Sequence, residues 1–140
     1  ADVFITNHPT TKHTLRSKFC NQQFEAFPKV KMATYYAGAD TDILDALKHD
    51  CDGIVVIGTG SGNYSQAWLQ KLDELAESGI VIVRSSRVPH SIVFDEQIFD
   101  PKNHFIGSNT LTPFKARILL MLCLTQTRNI EEIRNTFFRY

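Results

Sequence analysis

The sequence has little that would favour binding to a membrane or to nucleic acid. Its 140 residues carry 15 basic and 15 acidic side chains, so the formal net charge is zero. A neutral chain lacks the overall positive charge that attracts nucleic acid or an anionic lipid surface. No apolar run approaches the roughly 20 residues that a membrane-spanning helix needs. We therefore expect one ordinary domain with no nucleic-acid partner and no membrane partner.

Cysteine is also scarce, and its spacing excludes a common kind of site. Cys20, Cys51 and Cys123 are far apart, odd in number and without a Cys-x-x-Cys pair. This pattern argues against a zinc site and against a disulfide framework. The five histidines show no H-x-x-x-H or H-E-x-x-H spacing. We therefore expect no bound metal.

Apolar strands and amphipathic helices alternate through the middle of the chain. Val30–Tyr35 is predicted to be a strand, and continuous apolar runs predict strands at Gly53–Ile57 and Ile80–Val83. Helical periodicity predicts helices at Asp42–His49, with Ile43, Leu44 and Leu47 on its apolar face, and at Ser65–Glu77. Strands separated by helices predict a parallel sheet with right-handed crossovers. The fold class is therefore α/β, a small three-layer domain with a parallel sheet and flanking helices.

Two further helices are predicted near the C-terminus. Thr112-Pro113 is a good helix start, and Asn129 followed by Glu132 resembles a capping box. The stretch from Arg84 to Asn109 looks irregular, with short extended pieces at most.

The N-terminal part of the chain shows a different pattern. Val3–Thr6 is a short apolar run that could form a strand, whereas Asn7–Phe27 is polar and has little periodicity. About 20 residues without regular structure are uncommon inside a compact domain. We therefore expect residues 1–27 to be a linker or arm and residues 28–140 to be the α/β domain.

The most informative motif is the glycine-rich turn after the second predicted strand. The run Gly58-Thr59-Gly60-Ser61-Gly62-Asn63 lacks the Gly-Lys-Ser/Thr ending of a phosphate-binding P-loop. Its third glycine also comes one position too early for a dinucleotide fingerprint. Two interpretations remain. One is a tight turn without a ligand, and the other is a site in which Asn63 contacts a small polar ligand.

Arg84-Ser85-Ser86-Arg87 follows the third predicted strand and suggests two weaker hypotheses. The two arginines could clamp a carboxylate, but we favour a hydrogen-bonded turn with a surface ion pair. Ser85 or Ser86 with His90 could suggest a hydrolase, yet no G-x-S-x-G elbow is present. We therefore expect no self-contained catalytic triad.

Several motifs in order resemble the C-terminal domain of bacterial-type (type II-like) L-asparaginases and glutaminase-asparaginases. They are the glycine turn with its strand, Val83-Arg84-Ser85-Ser86-Arg87-Val88-Pro89, the helix from Thr112, the last helix, and Pro9-Thr10-Thr11-Lys12-His13-Thr14. The resemblance covers nearly the whole chain. It implies hydrolysis of L-asparagine, and of some L-glutamine, by a homo-oligomer (dimer or tetramer) without a cofactor.

The resemblance also implies which parts of the active site this chain contains. The family places its nucleophilic threonine in an N-terminal domain, within Gly-Gly-Thr-Ile-like and His-Gly-Thr-Asp-Thr-like motifs. Neither motif occurs here, and Asp40-Thr41-Asp42 follows Gly38-Ala39 rather than His-Gly. The arm would then lead from an N-terminal domain, and the chain alone would be inactive.

The family's C-terminal domain lends substrate contacts to a neighbouring subunit. The glycine-turn asparagine of the family matches Asn63. An acidic residue of the family falls opposite Gln97 once one gap is allowed, and Glu96 stands next to it. The resemblance therefore implies substrate contacts from Asn63, Gln97 and Glu96. It leaves open whether Glu96 or Gln97 takes the acidic position of the family.

Two further expectations complete the hypothesis. The Arg-Ser-Ser-Arg-Val-Pro run and the aromatic C-terminus look more like the periplasmic branch of the family, so a periplasmic location is expected, with the cytoplasm as the alternative. The alternative function is a free-standing α/β module that binds a ligand or partner without catalysis.

Overall fold

The core of the molecule is a four-stranded parallel sheet. A computed structural model describes residues 11, 12 and 14–140. Its strands are β1 (Val30–Thr34), β2 (Gly53–Gly58), β3 (Val81–Ser86) and β4 (Phe105–Gly107), in the order β1-β2-β3-β4. Each neighbouring pair is parallel, which confirms the predicted sheet. The carboxyl ends of all four strands therefore lie at one edge of the sheet.

Two helices cover each face of the sheet. One apolar cluster joins the sheet to α1 (Asp42–Leu47) and α2 (Gln66–Glu77), and the other joins it to α3 (Pro113–Leu124) and α4 (Ile130–Arg139). Alternate side chains of one strand serve the two clusters, because successive residues point to opposite faces. Val56 of β2 packs with the first cluster and Val55 with the second. The predicted three-layer α/β architecture is confirmed.

The helix starts follow the chemistry of their capping residues. The Ser65 hydroxyl accepts a hydrogen bond from the Trp68 amide at 3.3 Å, at the start of α2. The Asn129 side chain accepts one from the Glu132 amide at 3.0 Å, at the start of α4. In a full capping box the Glu132 side chain would accept a hydrogen bond from the Asn129 amide. Here the Asn129 amide donates to the Thr127 hydroxyl instead.

Two local predictions were wrong. Strand β3 continues through Arg84, Ser85 and Ser86, where the sequence suggested that the strand had ended. All three residues are buried, and their side chains form hydrogen bonds with polar groups of adjoining segments. Ile43 was expected on the buried face of α1 but is 45% exposed, since the short helix buries only Leu44.

Part of the predicted arm contacts the last helix. Residues Thr14–Arg16 form one turn of 3-10 helix. The Lys18 ammonium donates to the Thr136 hydroxyl at 3.0 Å, and the Phe19 ring lies 6.2 Å from that of Tyr140. The strand predicted at Val3–Thr6 lies outside the described residues, and the domain boundary at residue 27 stays a prediction.

The helices of the described residues are all short. Across positions 11, 12 and 14–140, no helix has both the length and the apolar character needed to cross a membrane.

Candidate functional site

The glycine turn closes on itself directly after β2. The Thr59 amide donates to the Asn63 carbonyl at 3.0 Å, and the Asn63 amide donates back to the Thr59 carbonyl at 2.7 Å. Gly60 and Gly62 have φ of +52° and +85°, in the left-handed region that favours glycine. The glycines therefore serve a five-residue reversal, and Asn63 is held at its far side.

The Asn63 side chain contains an unusual buried atom. Its Oδ1 is buried and accepts no hydrogen bond from the residues that the structure describes. A buried acceptor without a donor costs about 1–3 kcal/mol relative to one that is paired. The carboxamide can both donate and accept hydrogen bonds, but it is not a base near neutral pH. It is thus suited to positioning a polar group rather than to removing a proton.

Serine side chains fix the near side of the turn. The Ser86 hydroxyl donates to the Gly60 carbonyl, and the Ser91 hydroxyl donates to the same oxygen at 3.0 Å. The Ser86 hydroxyl also accepts from the Val88 amide at 3.0 Å. The Ser86 hydroxyl, which the sequence analysis weighed as a nucleophile, therefore has a structural role.

Arg84 fixes the far side of the turn and is 1% exposed. Its Nη2 donates to the carbonyls of Gly62 at 3.3 Å and Ser61 at 3.5 Å. Its Nη1 donates to the Phe94 carbonyl at 3.2 Å. No ion pair of Arg84 occurs among the described residues, so the predicted surface ion pair is wrong for this arginine. Both terminal nitrogens of the guanidinium donate to main-chain carbonyls, which argues against a carboxylate clamp at Arg84.

Two aromatic rings enclose the guanidinium. Its carbon lies 5.7 Å from the centroid of the Tyr64 ring and 5.2 Å from that of Phe99. Such contacts between a cation and ring faces are stronger where water is excluded. The Tyr64 hydroxyl donates to the Phe99 carbonyl at 2.5 Å. Burial raises the pKa of Tyr64 well above its usual range, although Arg84 opposes the shift, so the hydroxyl stays a donor.

The loop that carries Glu96 and Gln97 is fastened at both ends. Val93 pairs with Asn109 through two main-chain hydrogen bonds of 3.0 and 2.9 Å. The Asp95 carboxylate accepts from the Gly107 amide at 2.7 Å. Between these points and Phe99, Glu96 is half-buried and Gln97 is exposed. The structure therefore joins the Asn63 turn to the Glu96–Gln97 loop through Arg84 and the two rings.

A cleft of about 500 Å³ opens at the same edge of the sheet. Its walls come from the ends of β1, β2 and β3, from the loop Arg87–Ser91, and from the start of α3. Asn63, Glu96 and Gln97 are not among the residues that line it. The three sequence-predicted residues thus lie outside this cleft.

The remaining chemical candidates do not assemble into a site. The Ser85 hydroxyl contacts the Ser108 hydroxyl at 3.1 Å inside the protein, whereas His90 is exposed. The part of the chain that the structure describes contains no group of three or more His, Cys, Asp or Glu side chains that could hold a metal ion. His8 and His13 lie outside the described residues.

Sequence reasoning missed the role of Arg84 and of its two aromatic neighbours. An arginine directly after an apolar strand looked like the first residue of an exposed turn. The signal that could have identified it is its register, since Ile82 and Arg84 lie two residues apart and face the same buried side.

Comparison with known proteins places the chain in a family. The sequence model of the glutaminase/asparaginase C-terminal domain matches residues 29–137. A "Probable L-asparaginase periplasmic" of Haemophilus influenzae is 40% identical over 131 residues, which cover 92% of this chain and 38% of that protein. "L-asparaginase 2" of Escherichia coli is 38% identical over 134 residues, covering 94% of this chain and 38% of that protein.

A solved structure agrees with the sequence matches. The crystal structure of a probable cytoplasmic L-asparaginase from Campylobacter jejuni superposes with a TM-score of 0.84 at 34% identity. The match covers 99% of this chain and 46% of that one. This chain thus spans less than half the length of the relatives that it matches. With its parallel sheet, its glycine turn and a family match over residues 29–137, the chain belongs to the glutaminase/asparaginase C-terminal domain family.

Proposed function

We propose that this chain acts as the C-terminal domain of an L-asparaginase, which hydrolyses L-asparagine to L-aspartate and ammonia. Family membership supports the reaction class, and relatives named as L-asparaginases and as glutaminase-asparaginases support L-asparagine and L-glutamine as substrates. The nucleophilic threonine motifs of the family do not occur in the sequence. The chain therefore supplies substrate contacts, and another polypeptide segment supplies the nucleophile.

The observation that carries the proposal is the unpaired Oδ1 of Asn63. This atom is buried at the carboxyl end of β2, where ligands of open α/β sheets bind. A rotation of the Asn63 carboxamide would bring Oδ1 to the surface of the turn, where bound substrate would supply a donor from the substrate's ammonium or carboxamide. The gain would be about 1.5–3 kcal/mol if the donor is charged. Asn63 orients the substrate while the nucleophile acts from elsewhere.

Glu96 and Gln97 form the second part of the substrate site. A carboxylate can pair with the α-ammonium of an amino acid, and a carboxamide contributes hydrogen bonds without charge. Arg84 donates hydrogen bonds both to Phe94, two positions before Glu96, and to Gly62, next to Asn63. The loop and the turn are thus linked through one side chain. We assign the ammonium contact to Glu96, whose carboxylate supplies the charge, and a hydrogen-bonding contact to Gln97.

The active enzyme is a homo-oligomer, either a dimer or a tetramer, and needs no cofactor. A site whose substrate contacts and nucleophile come from different segments is complete only when those segments meet. The exposed Phe94 and Ile98, which flank Glu96 and Gln97, are suited to contact with another protein surface. No nucleic acid or membrane takes part.

The decisive experiment compares the complete reading frame that encodes this chain with the 140-residue chain itself. We expect threonine motifs upstream, release of ammonia from L-asparagine by the complete protein, and none by the chain alone. Asn63→Ala should lower kcat/KM of the complete protein by about 10- to 100-fold, the equivalent of one hydrogen bond to a charged group.

Controls separate the site from general effects. Asn135→Ala removes an exposed carboxamide on α4 and should leave kcat/KM unchanged. Glu96→Gln should raise KM at pH 7, and Gln97→Ala should raise it less. Normal kinetics in Asn63→Ala would remove this residue from the site. A complete reading frame without threonine motifs would instead favour a free-standing binding module.

We propose a periplasmic location for the enzyme. The support is the Haemophilus influenzae relative, which carries that compartment in its name. The Campylobacter jejuni relative is named as cytoplasmic, and that is the alternative. Fractionation of cells that express the complete reading frame, with activity measured in each fraction, decides between them.

A further inference from the structure

Arg84 is a buried cation whose hydrogen-bond partners are all neutral main-chain carbonyls. Three main-chain carbonyls and two aromatic rings surround its guanidinium. Arg84 forms no ion pair with any other described residue, and its Nε has no hydrogen-bond partner among them. Burial of a charge is costly, and apolar residues of similar size are often at least as stabilising. An arginine at this position therefore calls for an explanation beyond core packing.

The contacts of Arg84 give that explanation. Its two terminal nitrogens donate to different parts of the chain, one to the turn at Ser61 and Gly62 and the other to the loop at Phe94. These segments are more than 30 positions apart in the sequence. Gly62 directly precedes Asn63, and Phe94 lies two positions before Glu96. A planar guanidinium holds both acceptors in a fixed relation, which a single ammonium cannot do.

We propose that Arg84 is a positioning residue that sets the Asn63 turn and the Glu96–Gln97 loop in one joint geometry. The inference rests on the proposed function. Because a displacement of about 1 Å can cost a hundredfold in rate, loss of this link should impair both substrate contacts at once. Tyr64 supports the same link, since its hydroxyl donates to the Phe99 carbonyl at the other end of the loop.

The first arm of the test measures the link itself and needs no catalysis. Amide hydrogen exchange is compared in the 140-residue chain for wild type, Arg84→Lys and Tyr64→Phe. We expect Arg84→Lys to speed exchange in both segments, 60–63 and 94–99, and Tyr64→Phe to do so more weakly. The matched control is Arg117→Met, which loses a 2.8 Å bond from Nε to the Val30 carbonyl at the opposite edge of the sheet.

The second arm measures catalysis in the complete enzyme with a double-mutant cycle. Arg84→Lys should lower kcat/KM by about 10- to 100-fold in the wild-type background. In the Asn63→Ala background the same change should have a clearly smaller effect, because part of what Arg84 positions is already absent. A second cycle, between Arg84→Lys and Gln97→Ala, should show a coupling energy of the same sign. For the control pair Arg117→Met and Asn63→Ala, the two fold-changes in kcat/KM should simply multiply.

The outcomes separate this inference from the function on which it rests. Faster exchange in only one segment, or in neither, would overturn the joint geometry even in an active enzyme. Effects of Arg84→Lys and Asn63→Ala that multiply would assign Arg84 to general stability alone. An inactive complete protein with both segments loosened by Arg84→Lys would refute the proposed function while upholding the link. Should Arg84→Lys not fold, Tyr64→Phe carries both arms.

Discussion

Gly62 has little room for a side chain in the glycine turn. Its φ is +85°, and a Cβ at this position would lie 2.9 Å from Cγ1 of Val93 and 3.2 Å from the Ser85 carbonyl. Two separate physical terms therefore exclude a side chain here. One is the left-handed backbone, and the other is contact with neighbours that are themselves buried.

The cost of each term can be measured with a pair of variants. Gly62→Ala should lower the free energy of unfolding by about 2–4 kcal/mol, the sum of backbone strain and overpacking. Gly38→Ala, at φ of +83° with no atom within 4 Å of the added Cβ, should cost only about 1–2 kcal/mol. Urea unfolding of both variants checks this. Equal losses of unfolding free energy in the two variants would show that Val93 and Ser85 move aside at no cost.

The roles of single residues were predictable where local chemistry alone determines them. The positive φ of Gly60 and Gly62 follows from a tight turn after a strand, and a helix cap at Asn129 follows from its spacing to Glu132. The burial of Arg84 was not predictable in this way. Its carbonyl partners come from segments 22 and 10 residues away, and only the folded arrangement brings them together.

At the level of elements, the two C-terminal helices differ in how they begin. Asn129 caps α4 with its side chain, whereas Thr112 precedes α3 without any side-chain cap bond. Pro113 at the first position of α3 supplies a preset φ and removes one amide that would need a partner. The two caps therefore should differ in energy although both residue types favour the position.

Alanine substitution at the two caps tests this difference. Asn129→Ala should destabilise the protein by about 1 kcal/mol, as expected for loss of a side-chain cap. Thr112→Ala should change the free energy of unfolding by no more than about 0.5 kcal/mol. Chemical denaturation followed by far-UV circular dichroism measures both. A loss of similar size at Thr112 would contradict the assignment of α3 as uncapped.

The elements with a strong periodic pattern were predicted well, and those that depend on distant partners were not. Strand β2 and helix α2 lie within a residue of their predicted bounds. The last half of β3 was missed because Arg84, Ser85 and Ser86 are polar, and polar residues at the end of an apolar run normally mark a turn. Their burial is stabilised by the glycine turn, by Ser108 and by the 94–99 loop.

At the level of the whole molecule, the sheet separates two apolar cores. The core beneath α3 and α4 includes Cys123, whose side chain is fully buried. Burial raises the pKa of the Cys123 thiol to about 11. Between the thiol's ordinary pKa and this value the unfolded chain releases the proton while the folded chain keeps it. Stability from this group is therefore complete below about pH 9 and is lost as the pH rises through 11.

Global unfolding should show this dependence. The stability advantage of wild type over Cys123→Ala should shrink by about 2–3 kcal/mol between pH 8 and pH 11, as a shift of two pKa units implies. Urea titrations in reducing buffer at several pH values measure the difference. Both proteins share every other ionisable group, so the comparison isolates Cys123. A constant difference would mean that the folded protein admits the thiolate.

The candidate site as a whole could be anticipated only in part. Asn63 stood out in the sequence because its turn is rich in glycine and ends a buried strand. The link between that turn and the loop of Glu96 and Gln97 depends on a tertiary contact through Arg84, which no local pattern records. The contribution of Asn63, Glu96 and Gln97 to substrate binding is a prediction that the experiments above test.

The use of main-chain acceptors by Arg84 has a consequence for evolution and for engineering. The guanidinium holds the 94–99 loop by the Phe94 carbonyl, an atom that every amino acid provides at that position. Side chains at 96–98 can therefore be exchanged without releasing the loop from the turn. Libraries that vary Glu96 and Gln97 while keeping Arg84 should retain a common scaffold, so that selection acts on substrate preference instead of on foldability.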